Sequence, residues 1–361
     1  MSRQAPRIVP MEQNGTVRED GRSAVRSGPW TGPRRVPADV PGRIRHAHPM
    51  QTFRIGRSSL EASRLAYGCW RLAGSEGRPP EPDSVLGKRA VHAAAEAGHT
   101  LFDLADIYGG GRCEQIFGEA LREAPGLRDR VVVATKCGIR RAGEPTASAP
   151  VRYDFSAGHI VRSVESSLER MGIGTIDLLM LHRPDYLMDP AEIAGAFVQL
   201  RDAGKVREFG VSNFRPSQVA ALQQACPLRL AVNQIELSLL QLAPLEDGVL
   251  DQCLAEALTP MAWSPLAGGK LGDRVHGVLP SQLGYRPEAV VRELDAFAEG
   301  AGTTRANAAL AWLLKHPARI QPVVGSTDPA SIRSGAKACE VVMSREQWYQ
   351  IYTVARGTPL P

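Results

Sequence analysis

From residue 50 onward, short apolar runs alternate eight times with stretches of helical spacing. RVVVATK is a β-branched run of the kind buried on both faces of a parallel sheet, and IDLLMLH, LAVNQIE and IQPVVG read as further strands. The stretches between them include SVLGKRAVHAAAEAG, CEQIFGEALRE, SAGHIVRSVESSLERMG and DPAEIAGAFVQLRDAGK. Their punctuation is helical: Ser156 stands as an N-cap, Gly172 as a C-cap, and Asp189-Pro190 and Asp328-Pro329 open helices. Eight such units over ~300 residues predict a (β/α)8 TIM barrel. QTFRIG and LEASRLAYG bracket Gly56 to Ser59, which predicts a short N-terminal β-hairpin before the first barrel strand. SREQWYQIYTVAR closes the chain with an extra helix. A doubly wound sheet is the alternative. Against it, no GxGxxG follows the first strand, and polar residues end at least five strands rather than meeting at one switch point.

Charge separates the chain into two parts. Residues 1–50 hold nine arginines and four acids, which accounts for the whole net charge of +5. The remainder is formally neutral, so basicity gives no ground for nucleic-acid binding. Residues 1–49 are rich in Arg, Pro, Gly and Ser without apolar periodicity, and are expected to form a disordered basic extension ahead of a barrel spanning 50–361. Met50 opens the folded-looking segment, so it is read as the true start, or the preceding residues as a dispensable tail. The six cysteines are scattered with no CxxC pair. That pattern speaks against a zinc site or a disulfide framework, and fits a reducing cytosol. No apolar stretch approaches the ~18 residues of a membrane helix.

In a barrel, the C-terminal strand ends converge on one mouth. FDLADIYG, VVVATKCG and LLMLHRPD therefore bring together Asp103, Tyr108, Lys136 and His182, with Ser212 and Asn213 of VSNF nearby. An acidic phenol, an ammonium beside it, a carboxylate to hold the ammonium and an imidazole can protonate a carbonyl oxygen. The expectation is that Lys136 lowers the pKa of Tyr108, that Asp103 holds Lys136, and that His182 orients the carbonyl. Asp106 is assigned to loop structure. One Asp, one His, a Lys and amides make a poor metal site, which excludes a metal-dependent sugar isomerase and leaves no metal expected.

These motifs resemble the aldo-keto reductase superfamily. GCWRL, FDLADIYGGGRCE, VVVATKCG, IDLLMLHRPD, GKVREFGVSNF, VNQIELS, MAWSPLAGG and PVVGS occur in family order over residues 50–350, closest to the bacterial YdhF-like branch. The resemblance implies that Asp103, Tyr108, Lys136 and His182 are the catalytic tetrad. It implies that Ser212, Asn213 and Gln234 hold the nicotinamide carboxamide, and that Trp263 stacks on its ring. Ser264, Leu266, Gly268, Gly269 and Lys270 match the loop around the pyrophosphate. Gly325, Ser326 and Thr327, with the following helix N-terminus, are expected to hold the adenosine phosphate, although Ser331, Ser334 and Gly335 stand where a more charged set is common. Trp70, with Tyr108 and His182, lines the substrate pocket.

The implied activity is NADPH-dependent reduction of small aldehydes and ketones, with NADH also open. The implied protein is a cytoplasmic monomer that binds neither membrane nor nucleic acid. The chain ends soon after its last helix, so an open site of broad selectivity is expected. The glycines after Tyr108 suggest either a flexible loop or a tight turn. A cofactor-binding regulatory protein of the same fold, like potassium-channel β-subunits, is the competing reading, because fold alone does not decide function.

Overall fold

The computed structural model describes residues 50–74, 84–272 and 278–361. The expected N-terminal extension, residues 1–49, lies outside the described residues. Strands β1 (Thr52–Arg54) and β2 (Glu61–Ser63) pair antiparallel as the expected hairpin. The chain then runs through β3 (Ala66–Gly68), α1 (Val85–Glu96), β4 (Leu101–Asp103), α2 (Arg112–Glu123) and β5 (Val132–Cys137). A second small hairpin follows, β6 (Ile139–Arg140) with β7 (Arg152–Tyr153). Next come α3 (Ala157–Met171), β8 (Ile176–Leu181), α4 (Pro190–Asp202), β9 (Val206–Ser212), α5 (Pro216–Ala225) and β10 (Leu230–Glu236). The last part holds α6 (Val249–Glu256), β11 (Thr259–Trp263), α7 (Glu288–Ala301), α8 (Arg305–Leu314), β12 (Gln321–Val324), α9 (Pro329–Ala336) and α10 (Arg345–Arg356).

Eight parallel strands close into a barrel in the order β3-β4-β5-β8-β9-β10-β11-β12. The predicted (β/α)8 fold is therefore the observed one. Strand side chains alternate between two faces. Leu101, Val132, Ala134, Leu178, Met180, Val232, Met261 and Val323 fill the barrel interior. Phe102, Val133, Leu179, Phe209 and Val211 belong to the outer layer, with Val91, Phe117, Val164 and Phe197 of the helices. This alternation aims the functional side chains. Asp103 is the next inward position after Leu101, Lys136 after Ala134, His182 after Met180, Gln234 after Val232 and Trp263 after Met261.

The β1–β2 hairpin plugs the other end of the barrel. Phe53, Ile55, Leu60 and Ala62 join the interior cluster. Gly56 N donates to Thr259 Oγ1 at 2.8 Å, at the start of β11. A Cβ at Gly56 would lie 2.5 Å from Ala231 O, and its φ of 54° is left-handed, so the turn requires glycine there.

The helix signals were mostly correct. Asp189 Oδ1 accepts from Ala191 N at 2.8 Å ahead of Pro190. Gly172, with φ 65°, closes α3. Ser156 precedes α3 as expected but does not cap it: its Oγ donates to Asp154 Oδ1 at 2.7 Å, and Glu192 Oε1 accepts from Ala157 N at 2.8 Å. Five of the six cysteines are buried and none is bonded to another. Among the described residues no helix is long and apolar enough to cross a membrane.

Gly118 of α2 packs on the last turn of α3, where an added Cβ would lie 2.7 Å from Met171 C. Overpacking against backbone costs ~1–3 kcal/mol, which exceeds the helix-propensity gain of up to ~1 kcal/mol from Gly to Ala. Gly118→Ala is expected to lower the urea unfolding midpoint; a raised midpoint would contradict this packing.

Candidate active site

Lys136 ends β5 with no solvent exposure. Its Nζ donates to Asp103 Oδ1 at 2.6 Å and to Leu104 O at 2.7 Å. Gln234 Nε2, across the barrel, donates to the same Asp103 oxygen at 2.9 Å. Burial pulls the Lys136 pKa down, while Asp103 works in the opposite direction. The ammonium also lies 5.1 Å from the Tyr108 ring centroid.

Tyr108 opens a single 3-10 turn that leads from β4 into α2. Gly109, Gly110 and Gly111 have φ of 56°, 67° and 88°, three consecutive left-handed residues. The triple glycine is thus the tight turn of the two expectations, and it serves to bring Tyr108 back over the mouth. The Tyr108 and His182 rings meet edge to face at 5.8 Å. The Tyr108 phenol has its pKa raised well above 10 by burial first and Asp103 second, with Arg183 pulling it down. This corrects the expected lowering by Lys136. Burial, the largest cause, decides the sign, and the Asp103 carboxylate adds to it.

His182 is buried, and its pKa lies well below 6.5 through burial, then Lys136, then Arg183. The imidazole is therefore neutral near pH 7. Its Nδ1 is buried without a hydrogen-bond partner.

Ser212, Asn213 and Trp263 form a connected set beside it. Ser212 Oγ donates to Gln234 O at 2.9 Å and accepts from Asn213 Nδ2 at 2.8 Å. Asn213 Nδ2 also approaches His182 O at 3.3 Å, and Asn213 Oδ1 accepts from Trp263 Nε1 at 2.9 Å. Asn213 has φ 61° and Ser264 φ 50°, strained values for residues with a Cβ. Gln234 meets this set through its main-chain carbonyl, which accepts from Ser212 Oγ, while its side-chain amide engages Asp103.

The remaining candidates lie around the rim. Leu266, Gly268 and Gly269 form a turn, with Gly268 at φ 68° and Gly269 at φ 93°. Lys270 Nζ donates to the carbonyls of Gln282 at 2.9 Å and Tyr285 at 3.2 Å, so its ammonium ties down the segment after the loop. Trp70 follows β3 and lies 5.1 Å from the Arg71 guanidinium. Arg71 Nη1 donates to Gly325 O at 3.3 Å, and Tyr67 Oη donates to Ser326 O at 2.8 Å. Thr327 is exposed beside them. Asp328 opens α9 as expected, and its carboxylate caps the first turn. Asp328 accepts there from Ser331 N at 3.1 Å and from Ser331 Oγ at 2.7 Å, which places a carboxylate where an anion was expected.

Sequence reasoning missed one residue in the cluster, Arg183. Its guanidinium lies 5.2 Å from the Trp263 ring centroid. The available signal was a cation in LHRPD, directly after His182.

Residues 64–356 match the model of the Aldo/keto reductase family. The chain belongs to that family. Such a chain is an oxidoreductase. It is 42% identical over 299 residues to the 6-dehydroglucose reductase of Agrobacterium fabrum, covering 82% of this chain and 96% of that one. It is 38% identical over 317 residues to oxidoreductase YdhF of Escherichia coli, covering 86% of this chain and all of that one. The solved glycerol dehydrogenase of Gluconobacter oxydans superposes with a TM-score of 0.73 at 30% identity, covering 86% of this chain and 97% of that one.

Asp106 takes part in the loop, as assigned, and at a cost to stability. Its Oδ1 is buried without a partner, and burial and then Glu114 raise its pKa to about 7, against Arg170 and Ser163. A carboxyl raised above its unfolded value holds its proton longer in the folded state. Its destabilising effect therefore grows as pH rises from ~4 through 7. Asp106→Asn is expected to raise the melting temperature at pH 8 and change it little at pH 4; equal shifts at both would contradict this.

Proposed function

We propose that this aldo/keto reductase family member reduces small aldehydes and ketones with a nicotinamide dinucleotide, and that Tyr108 protonates the carbonyl oxygen. The observation that carries the reading is the buried Lys136–Asp103 pair lying against the Tyr108 ring beside a neutral His182. The bound dinucleotide supplies the hydride. Tyr108 holds its proton until charge develops on the substrate oxygen, because burial disfavours the phenolate. Transfer of that proton leaves a phenolate near Lys136. The ammonium 5.1 Å from the ring centre attracts that phenolate, and the Asp103 carboxylate opposes it. His182 donates a hydrogen bond to the carbonyl and fixes its direction.

Ser212, Asn213 and Trp263 are suited to the nicotinamide end: two amide- and hydroxyl-bearing side chains stand beside one aromatic ring. Gln234 is better read as a second support for Asp103. The turn from Ser264 to Gly269 with Lys270 would hold the pyrophosphate, and Gly325, Ser326 and Thr327 would border the adenosine. Trp70 borders the substrate. Two relatives are named 6-dehydroglucose reductases, so hydroxylated aldehydes are the first substrates to try.

Loss of nicotinamide absorbance tests the reading. Tyr108→Phe is expected to lose at least ~100-fold in kcat with unchanged dinucleotide affinity. Near-normal turnover would remove Tyr108 from the role. Tight dinucleotide binding without wild-type turnover would favour the regulatory alternative.

The Asp328 carboxylate opposes a 2′-phosphate beside α9, so NADH is accepted alongside NADPH. Asp328→Asn is expected to tighten NADPH relative to NADH by roughly two- to fivefold, the size of one charge at a helix N-terminus. An unchanged affinity ratio would place the phosphate elsewhere.

A further inference from the structure

Arg183 is the first residue after His182 beyond β8. Its side chain is half-buried, and its guanidinium sits 5.2 Å from the centre of the Trp263 ring. Its charge reaches both Tyr108 and His182, lowering the pKa of each. Yet among the described residues no hydrogen bond and no ion pair engages it. Asp103 at the mouth and Asp185 two residues on both carry other contacts. Asp103 Oδ1 is held by Lys136 and Gln234. Asp185 accepts from Phe155 N at 3.1 Å and Leu187 N at 2.9 Å.

A guanidinium carries five N–H donors in a planar fork matched to paired oxygens. Other half-buried arginines of this barrel meet that demand. Arg170 donates to Glu114 at 2.7 Å, and Arg128 lies 3.0 Å from Asp177. Stacking on Trp263 satisfies only the π face of Arg183 and leaves its edge unmatched. Position narrows the role further. The group lies one residue past His182 at the same strand end and 5.2 Å from the Trp263 ring centre.

We infer that Arg183 is a specificity-determining residue whose fork binds two oxygens of the substrate beyond the reacting carbonyl, as a carboxylate or as adjacent hydroxyls. The inference rests on carbonyl reduction at Tyr108. Substrates with paired oxygens near the aldehyde are then preferred over plain aldehydes of the same size, and the preference appears mainly in KM, because the contact exists before and during reaction alike.

Two matched pairs of aldehydes test it: benzaldehyde with 4-carboxybenzaldehyde, and propanal with glyceraldehyde. The protein is wild type, Arg183→Gln or Arg183→Lys. Wild type is expected to favour the oxygenated member of at least one pair by ~10-fold or more in kcat/KM, the size of one charge-assisted hydrogen bond. Preference in the first pair identifies a carboxylate, and preference in the second identifies hydroxyls. Arg183→Gln is expected to bring the ratio within about threefold, and Arg183→Lys to restore it for a carboxylate only, because an ammonium lacks the fork. Any influence of Arg183 on Tyr108 acts on both members of a pair and cancels in the ratio. Equal kcat/KM within both wild-type pairs, or a ratio unchanged in Arg183→Gln, overturns the inference. If wild type turns over no aldehyde, the carbonyl-reductase reading fails instead. Tryptophan quenching by benzoate and by glycerol then decides the Arg183 question: weaker binding of either to Arg183→Gln supports it, and equal binding of both overturns it.

Discussion

Lys136 carries its charge with no contact to water, and its neighbours are arranged around that fact. Stripping an ammonium of solvent costs several kcal/mol even after relaxation, and only close, well-directed partners offset it. Asp103 and the Leu104 carbonyl supply them from the strand alongside, and Gln234 steadies Asp103 from across the barrel. Three strands are thereby joined at one end through a single carboxylate oxygen. A defect in any of them leaves a buried charge unmatched, so the chemistry of the mouth and the integrity of the barrel are not separable there.

The same pair sets the electrostatics of its surroundings. Burial first and Asp103 second keep the Tyr108 phenol protonated at rest. Lys136 nonetheless helps keep His182 neutral, along with burial. A neutral imidazole can donate through one nitrogen without adding a cation next to Arg183. The mouth thus holds one compensated cation beneath the phenol and one uncompensated cation beside it. This division separates support of the proton donor from recognition of what approaches it.

Much of this was legible in the sequence because barrel strands translate residue order into direction. A strand's inward residues recur every second position, so an apolar residue at 134 and a lysine at 136 already imply a charge at the top of a packed interior. The order of motifs then supplied the neighbours. What stayed hidden depended on distances between segments far apart in sequence. The partners of Lys270 lie on a segment with no regular pattern, and Gln234 reaches Asp103 from 131 positions away. The sign of the Tyr108 shift depends on burial depth, which residue spacing does not contain. Hairpin β6–β7 pairs two residues with two, too few for any alternation to show. Arg183 was visible as a letter, but its lack of a partner is a property of the folded neighbourhood alone.

The plug at the closed end bears on how the chain is made. Gly56 and Thr259 touch across 203 positions. The hairpin that carries Phe53 and Ile55 precedes every barrel strand, and β11, which it touches, is the seventh of the eight. Contacts of such separation slow folding, since loop closure precedes any gain from them. Until then the apolar face of the hairpin lacks part of its native cover, so during synthesis it is open to misassociation.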